Sequence, residues 1–224
     1  MGGGTIATVV FQERTRDSIM LAVIDYGAGN LESVLRALRQ LGETPVVANT
    51  PEAVRRAARI VLPGVGYFDK AMANLEASGV ADALREKVEQ EQVPLLGICL
   101  GFQLLTRRSE EGGADGFGWI DAETKAFGFG AGADALKVPH MGWNEVSPEA
   151  DEGLLGGLDS GACFYFAHSY YVECRDATVL AASTNYGLTF TSAVQRGNII
   201  GTQFHPEISH TNGFNFLRRF LEMT

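Results

Sequence analysis

From Met20 onward, short apolar segments alternate with helical ones, and this pattern limits the fold more than any other feature of the sequence. Four mostly apolar segments have the length of buried strands: 20–24, 45–48, 59–62 and 93–98. Between them, apolar side chains recur with the period of an amphipathic helix, most clearly from Leu31 to Leu41. Strands that alternate with helices predict an α/β fold, with a mostly parallel open sheet and helices on both faces.

The second half of the chain has a different pattern. Short strand-like segments follow one another without helices between them, at 164–172, 179–183, 189–194 and 199–204. Two turn signals, Asn185-Tyr-Gly187 and Arg196-Gly197-Asn198, separate the last three of these segments. We therefore expect an antiparallel extension beside the parallel sheet, and a closing helix over 213–222.

The predicted domain organisation is simple. Residues 1–19 have no helical period and no signal-peptide pattern, so we expect a disordered N-terminal extension there. Residues 20–224 are enough for one complete core, and no linker rich in Gly, Pro or Ser divides them. We expect a single domain over 20–224.

Charge and cysteine content exclude several classes of function. With 18 Lys and Arg against 27 Asp and Glu, the net charge is -9, which disfavours binding to nucleic acids or anionic membranes. The longest mostly apolar segment, 93–105, is too short to span a bilayer. Three cysteines are an odd number for a disulfide framework, which indicates a reducing compartment and a cytoplasmic protein. The four histidines and three cysteines show no ligand spacing, so we expect no metal site.

The segment Gly97-Ile-Cys99-Leu-Gly101 is typical of a nucleophile elbow. An apolar strand enters a tight turn and a helix begins, which would expose the Cys99 thiol at the carboxyl edge of the sheet. The positive end of that helix favours the thiolate. Taken alone, the pattern also fits a buried structural cysteine between closely packed glycines.

The segment His205-Pro-Glu207 supplies a matching base. A residue before proline is extended, and side chains at i and i+2 of an extended chain lie on the same side. Glu207 can therefore orient the His205 ring toward a nucleophile, as in a catalytic triad. The glycine-rich turn Leu62-Pro-Gly-Val-Gly66, which follows a predicted strand, can present backbone N–H donors to an oxyanion, and Leu100 can supply another.

These elements together resemble the class I glutamine amidotransferases. The motifs that carry the resemblance occur in the family's order: 25–30, 62–66, 97–103, 109–112, 137–144, 168–170 and 203–207. The resemblance covers the chain from Met20 to its end. It implies the family fold, a Cys-His-Glu triad of Cys99, His205 and Glu207, and no metal or organic cofactor.

The resemblance also implies roles for further residues. Glutamine would be held by Gln103, Glu111, Ser169 and Tyr170, and the oxyanion segment would comprise Gly64, Val65 and Leu100. The string Lys137-Val-Pro-His-Met-Gly-Trp-Asn144 is the most specific motif. It is similar to the glutaminase subunits of imidazole glycerol phosphate synthase, which implies a partner interface that includes Lys137, His140, Trp143 and Asn144.

The expected function is therefore hydrolysis of glutamine, with ammonia delivered to a (β/α)8 cyclase in a heterodimer. That cyclase would make imidazole glycerol phosphate and aminoimidazole carboxamide ribotide in histidine biosynthesis. Two departures leave an alternative open: Ile208 stands where Lys or Arg is expected, and Gly118-Trp-Ile-Asp121 is similar to paralogues that supply ammonia for amidation of a surface-polysaccharide sugar. A catalytically inactive scaffold and a stand-alone cysteine hydrolase are further alternatives, disfavoured by the complete triad and by the 137–144 string.

Overall fold

The computed structural model describes residues 20–130, 136–150 and 153–223. The predicted extension over 1–19 lies outside these ranges. The helices are α1 (Leu31–Gln40), α2 (Pro51–Arg55), α3 (Phe68–Ala77), α4 (Val80–Arg85), α5 (Leu100–Leu104) and α6 (His210–Leu221). The strands are β1 (Leu21–Ile24), β2 (Val46–Ala48), β3 (Arg59–Gly64), β4 (Leu95–Cys99), β5 (Arg108–Ser109), β6 (Ala122–Ala126), β7 (His140–Glu145), β8 (Ser147–Pro148), β9 (Cys163–His168), β10 (Tyr170–Cys174), β11 (Leu180–Asn185), β12 (Thr189–Arg196) and β13 (Ile199–Thr202).

The described strands form one large sheet and one small sheet. The large sheet has the order β2-β1-β3-β4-β13-β12-β10-β6-β5, with β11 and β8 branching from β12. Strands β2, β1, β3, β4 and β13 are parallel, and β12, β10 and β11 continue the sheet in antiparallel fashion. The small sheet pairs β7 with β9. The predicted parallel sheet with an antiparallel extension is confirmed.

Both faces of the parallel strands are covered, as the α/β prediction requires. In β1, Ala22 and Ile24 belong to one apolar cluster while Leu21 and Val23 belong to the other. Helices α3 and α4 cover the first face and helices α1 and α6 cover the second. Because alternate side chains of a strand point to opposite faces, the central strands β1 and β4 are apolar throughout, and every residue in them is buried.

The structure corrects two strand predictions. Strand β3 does not break at Pro63 but continues to Gly64, which pairs with Cys99 on β4. The Ile60 N–H points toward β4, so Pro63 faces the β1 side, where pairing with β1 has already ended at Val61. The missing N–H therefore costs no ladder hydrogen bond.

The second correction concerns the strand predicted over 164–172. It is two strands, β9 and β10, which meet at Ser169 and belong to different sheets. Aromatic residues on both sides of His168-Ser169 made the segment read as one strand. Cys163, beside this aromatic segment, is exposed because it opens β9 at the outer end of the small sheet.

Smaller differences occur at helix ends. The Asn30 side chain does not cap α1 and instead donates a hydrogen bond to Ser33 Oγ at 3.0 Å. The Thr50 side chain caps α2 and accepts the Ala53 N–H at 3.3 Å. Helix α4 is followed by a π-helical turn over Glu86–Gln90.

Candidate active site

Cys99 lies on a strained turn between β4 and α5. Its φ is +54°, a left-handed conformation that residues other than glycine rarely adopt. The turn fits only because glycines allow close backbone contact: a Cβ on Gly101 would lie 1.7 Å from the Leu62 carbonyl oxygen, and one on Gly97 would lie 2.8 Å from that of Gly101. Backbone strain that the surroundings fix in this way is common at functional sites. The geometry agrees with a nucleophile elbow.

His205 and Glu207 meet as predicted, but the chain between them is not extended: His205 is extended, and Glu207 lies in a 3₁₀ turn over Pro206–Ile208. Glu207 Oε1 lies 2.9 Å from Nδ1 of His205, and both side chains are buried. The backbone of His205 is held by the carbonyl of Tyr165, which accepts its N–H at 2.9 Å, and by the Ser209 hydroxyl, which donates to its carbonyl at 2.6 Å. Hydrogen bonds therefore fix both the backbone and the ring of His205.

Charge at the site favours the protonated form of His205. Burial by itself lowers the pKa of the imidazole, but the Cys99 thiolate and the hydrogen-bonded Glu207 carboxylate raise it well above its ordinary value. A thiolate–imidazolium pair is the form in which a cysteine is a ready nucleophile and a histidine is a ready proton donor.

One cleft of about 270 Å³ contains the nucleophile and all four residues predicted to hold the substrate: Gln103, Glu111, Ser169 and Tyr170. Val65 and Leu100, predicted for the oxyanion segment, line the same cleft beside Cys99. Gly64, the third residue of that segment, lines a neighbouring cleft together with His205 and Glu207. The two clefts share Val65 and Ala167, so the triad lies at their junction.

Within the cleft, the predicted substrate residues present complementary groups. Glu111 lines the cleft, and one of its carboxylate oxygens, Oε2, accepts the Phe68 N–H at 2.9 Å. Burial raises the pKa of Glu111, with a further contribution from Asp69. Gln103 donates its amide hydrogens to Tyr170 O at 3.0 Å and to Gln203 Oε1 at 3.2 Å.

Gln203 was not among the predicted site residues, yet it is fully buried beside the nucleophile. Its amide Nε2 lies 3.7 Å from Cys99 Sγ. Gln203 directly follows β13 and belongs to the same 203–207 motif as His205 and Glu207, so the motif could have identified it. Gln203 connects the thiol to Gln103 and thus to the wall of the cleft.

The predicted interface residues occupy different depths. Lys137 is exposed, the Trp143 side chain is 48% exposed, and Asn144 is half-buried. His140 is only 3% exposed, so in this structure it lies beneath the surface that Trp143 forms. Three exposed apolar side chains border the two clefts next to this surface: Val65, Met141 and Ile208.

Within the described ranges, no three His, Cys, Asp or Glu side chains are grouped as a metal site would require. Over the same ranges, no helix is both long and apolar enough to cross a membrane.

Comparison with known proteins identifies the family. The family model for class-I glutamine amidotransferases matches residues 22–223. The chain is 45% identical over 204 residues to "Imidazole glycerol phosphate synthase subunit HisH 2" of Pseudomonas aeruginosa, covering 91% of this chain and all of that protein. It is 47% identical over 204 residues to the HisH subunit of Moorella thermoacetica, covering 91% of this chain and 94% of that protein.

Solved structures agree on the fold. A structure described as a glutamine amidotransferase superposes with a TM-score of 0.68 at 21% identity, covering 91% of this chain and 97% of that one. A putative GMP synthase protein from Thermoplasma acidophilum gives 0.67 at 23% identity, covering 91% and 92%. On the family match and these identities, the chain belongs to the class-I glutamine amidotransferases and, among them, to the HisH subunits of imidazole glycerol phosphate synthase.

Proposed function

We propose that this chain hydrolyses the side-chain amide of glutamine to glutamate and ammonia. The observation that carries the proposal is the arrangement of Cys99, His205 and Glu207 at the junction of two clefts. One of these clefts is lined by every residue that the sequence predicts to hold glutamine. The names of the HisH relatives support the same function.

The reaction follows from the three side chains. The Cys99 thiolate attacks the amide carbon, and a tetrahedral intermediate forms with its charge on oxygen. His205 gives its proton to the amide nitrogen, the C–N bond breaks, and ammonia leaves. Water, deprotonated by the now neutral imidazole, then attacks the thioester and releases glutamate and the thiolate. Glu207 holds the ring in the required tautomer and stabilises the imidazolium.

The oxyanion and the substrate are held by separate groups. The backbone N–H groups of Val65 and Leu100 flank the nucleophile and would stabilise the oxyanion. The free oxygen of Glu111 would accept the α-ammonium of glutamine, and the Ser169–Tyr170 segment with Gln103 would hold its remaining polar groups.

We further propose that ammonia passes to a separate (β/α)8 cyclase, with which the chain forms a heterodimer. The relatives are named as subunits of imidazole glycerol phosphate synthase, which supports such a partner. The joint products would be imidazole glycerol phosphate and aminoimidazole carboxamide ribotide. Ammonia released at Cys99 would enter the neighbouring cleft, which His205 and Glu207 line. The partner would cover the surface that includes Lys137, Trp143 and Asn144. The free thiols of all three cysteines support a cytoplasmic location.

The test uses the chain with its cyclase. We expect Cys99→Ser to abolish synthesis from glutamine and to leave synthesis from added ammonium salts unchanged, because the thiolate is needed to release ammonia and not to use it. The control is Cys163→Ser, at an exposed cysteine away from the clefts, which should change neither activity. Glutamine-dependent synthesis by Cys99→Ser would remove the nucleophile from this mechanism.

The same assay separates the histidine pathway from the alternative, a surface-sugar amidotransferase. Pairing the chain with each candidate synthase from the same genome should give glutamine-dependent product with the cyclase. Product with only the sugar-modifying synthase would assign the chain to the alternative pathway.

A further inference from the structure

Two buried histidines beside the cleft have no part in the triad mechanism. His140 on β7 and His168 on β9 face each other in register across the small sheet. They are only 3% and 5% exposed, and Nδ1 of His140 lies 2.9 Å from Nε2 of His168. A buried polar pair of this kind is stable only if every nitrogen has a partner.

The partners at both ends fix where the protons are. The carbonyl of Tyr170 can only accept, so His168 Nδ1, at 2.7 Å, must carry a proton and donate it. His168 Nε2 is then an acceptor and receives the proton on His140 Nδ1. His140 Nε2 accepts in turn from the Asn144 amide at 3.2 Å. The hydrogen bonds run in one direction, from Asn144 through both rings to the Tyr170 carbonyl.

The surroundings keep both rings uncharged. Aromatic rings contact the pair from several sides: Phe127, Phe166, Tyr186 and Phe190. Burial lowers the pKa of His140 to about 4 and that of His168 to about 3, with smaller contributions to His168 from the neighbouring histidines. At neutral pH the pair is therefore neutral, and its hydrogen-bond direction does not change.

The carbonyl at the end of this chain is part of the glutamine cleft. The same Tyr170 oxygen accepts the Gln103 amide at 3.0 Å, and Gln103 also bonds Gln203, whose amide lies 3.7 Å from Cys99 Sγ. Gln103, Tyr170 and His168 itself line the cleft, whereas His140 does not. The His168 ring is a rigid donor to this carbonyl, and it thus fixes the backbone of Tyr170 and the side chain of Gln103 together.

We propose that His140 and His168 are positioning residues for glutamine: as a hydrogen-bonded pair, they hold the Tyr170 carbonyl, and with it Gln103 and the Ser169–Tyr170 segment, in the geometry that binds the substrate. This inference rests on the proposed function and adds two residues to it. It also gives His140 a role beneath the surface, in place of the predicted contact with the partner. Neither histidine touches the reacting atoms.

The test is the double variant His140→Phe/His168→Phe. It removes both polar partners at once and keeps aromatic rings in an aromatic environment, which is nearly neutral for stability. The groups at the two ends keep other partners, because the Asn144 amide also donates to Asn185 O at 2.9 Å and Tyr170 O retains Gln103. We therefore expect the variant to fold.

With the cyclase present, the double variant should have a KM for glutamine about tenfold higher, which corresponds to the loss of one fixed hydrogen bond. Its kcat should change by less than about threefold, because the triad contacts are untouched. Synthesis from ammonium salts should be unchanged. This split between KM and kcat distinguishes positioning of substrate from general damage to the enzyme.

The matched control is Phe190→Leu, which loosens the packing against both imidazoles and leaves every hydrogen bond of the pair in place. It should lower the unfolding temperature without raising KM. An unchanged KM in the double variant would overturn the inference, as would an equal rise in KM for Phe190→Leu. A wild-type chain that does not hydrolyse glutamine with any partner would overturn the proposed function as well.

Discussion

The two sides of the glutamine cleft are built in different ways. On one side, the carboxyl ends of β3, β4 and β13 bring together the reacting groups, and backbone contacts fix their positions. Gly97 and Gly101 leave no space for a Cβ, and Cys99 has a strained φ. On the other side, the small sheet of β7 and β9 fixes the cleft wall by side-chain hydrogen bonds within a group of aromatic rings.

The two kinds of construction suit two different tasks, holding the nucleophile and holding the substrate. A nucleophile must be held to a fraction of an ångström, and a backbone turn with no free space does this without relying on side-chain rotamers. The wall proposed to bind substrate is instead connected through His140 to Asn144, on the side of the small sheet where we propose that the partner binds. We expect substitutions on the first side to act on kcat or on folding, and those on the second to act on KM or on partner affinity.

Among the substitutions that test this comparison, the largest expected effect on activity is that of Glu207→Gln. The amide keeps a hydrogen bond to His205 but cannot stabilise the imidazolium, so kcat should fall by about 10²–10⁴. The carboxylate raises the pKa of His205 in the native protein, so its replacement by a neutral amide should lower that pKa. Proton NMR titration of the four histidines measures the shift directly.

The control for this variant is Glu222→Gln, at an exposed acid after α6. It should leave both kcat and the His205 titration unchanged. A near-normal kcat for Glu207→Gln would mean that another group orients the ring, and the triad assignment would then be wrong.

The next effect tests the backbone contacts. In Gly101→Ala the new methyl group would lie 1.7 Å from the Leu62 carbonyl oxygen, a backbone atom of β3 that cannot move independently. We expect a loss of about 3 kcal/mol or more in the free energy of unfolding. Gly128→Ala, where a Cβ meets nothing within 4 Å, should change it by less than about 0.5 kcal/mol. Denaturant unfolding of both variants decides, and equal stabilities would contradict the packing argument.

The same contrast explains what the sequence predicted. The fold class follows from the alternation of strands and helices, and the elbow at Cys99 and the contact of Glu207 with His205 depend on a few neighbouring residues, so all three could be predicted. The extended chain expected at Glu207 was wrong, because Glu207 reaches the ring from a 3₁₀ turn. The change of sheet at Ser169 and the contact between His140 and His168 depend on which strands pair across 28 residues of chain. No local rule contains that information. His168 was therefore assigned no role, and His140 was predicted at the surface.

On the β7–β9 side, a smaller effect is expected for Trp143→Ala. The indole is 48% exposed and stacks on His210 with 5.0 Å between the ring centroids. It therefore projects from the small sheet next to the turn that carries Glu207. Exposed tryptophans at interfaces often contribute about 2 kcal/mol, which predicts an approximately 30-fold weaker complex with the cyclase. Titration calorimetry measures the affinity, and Trp143→Phe, which keeps a stacked ring, should lose much less. Unchanged affinity in Trp143→Ala would place the partner elsewhere.

The smallest effect is expected for Tyr26→Phe, and it tests whether the backbone side of the cleft has a side-chain contribution. The Tyr26 hydroxyl is buried, has no hydrogen-bond partner within the described residues, and lies where a Cβ on Gly64 would be only 2.1 Å away. Burial, with a contribution from Cys99, raises the pKa of Tyr26, so the group is a neutral hydroxyl. Removing an unpaired buried hydroxyl should leave the free energy of unfolding unchanged or raise it by up to about 1 kcal/mol, with kcat unaffected. A tenfold lower kcat at unchanged stability would show that the hydroxyl acquires a partner during turnover. The oxyanion segment at Gly64 would then depend on a side chain, and the distinction between the two sides would no longer hold there.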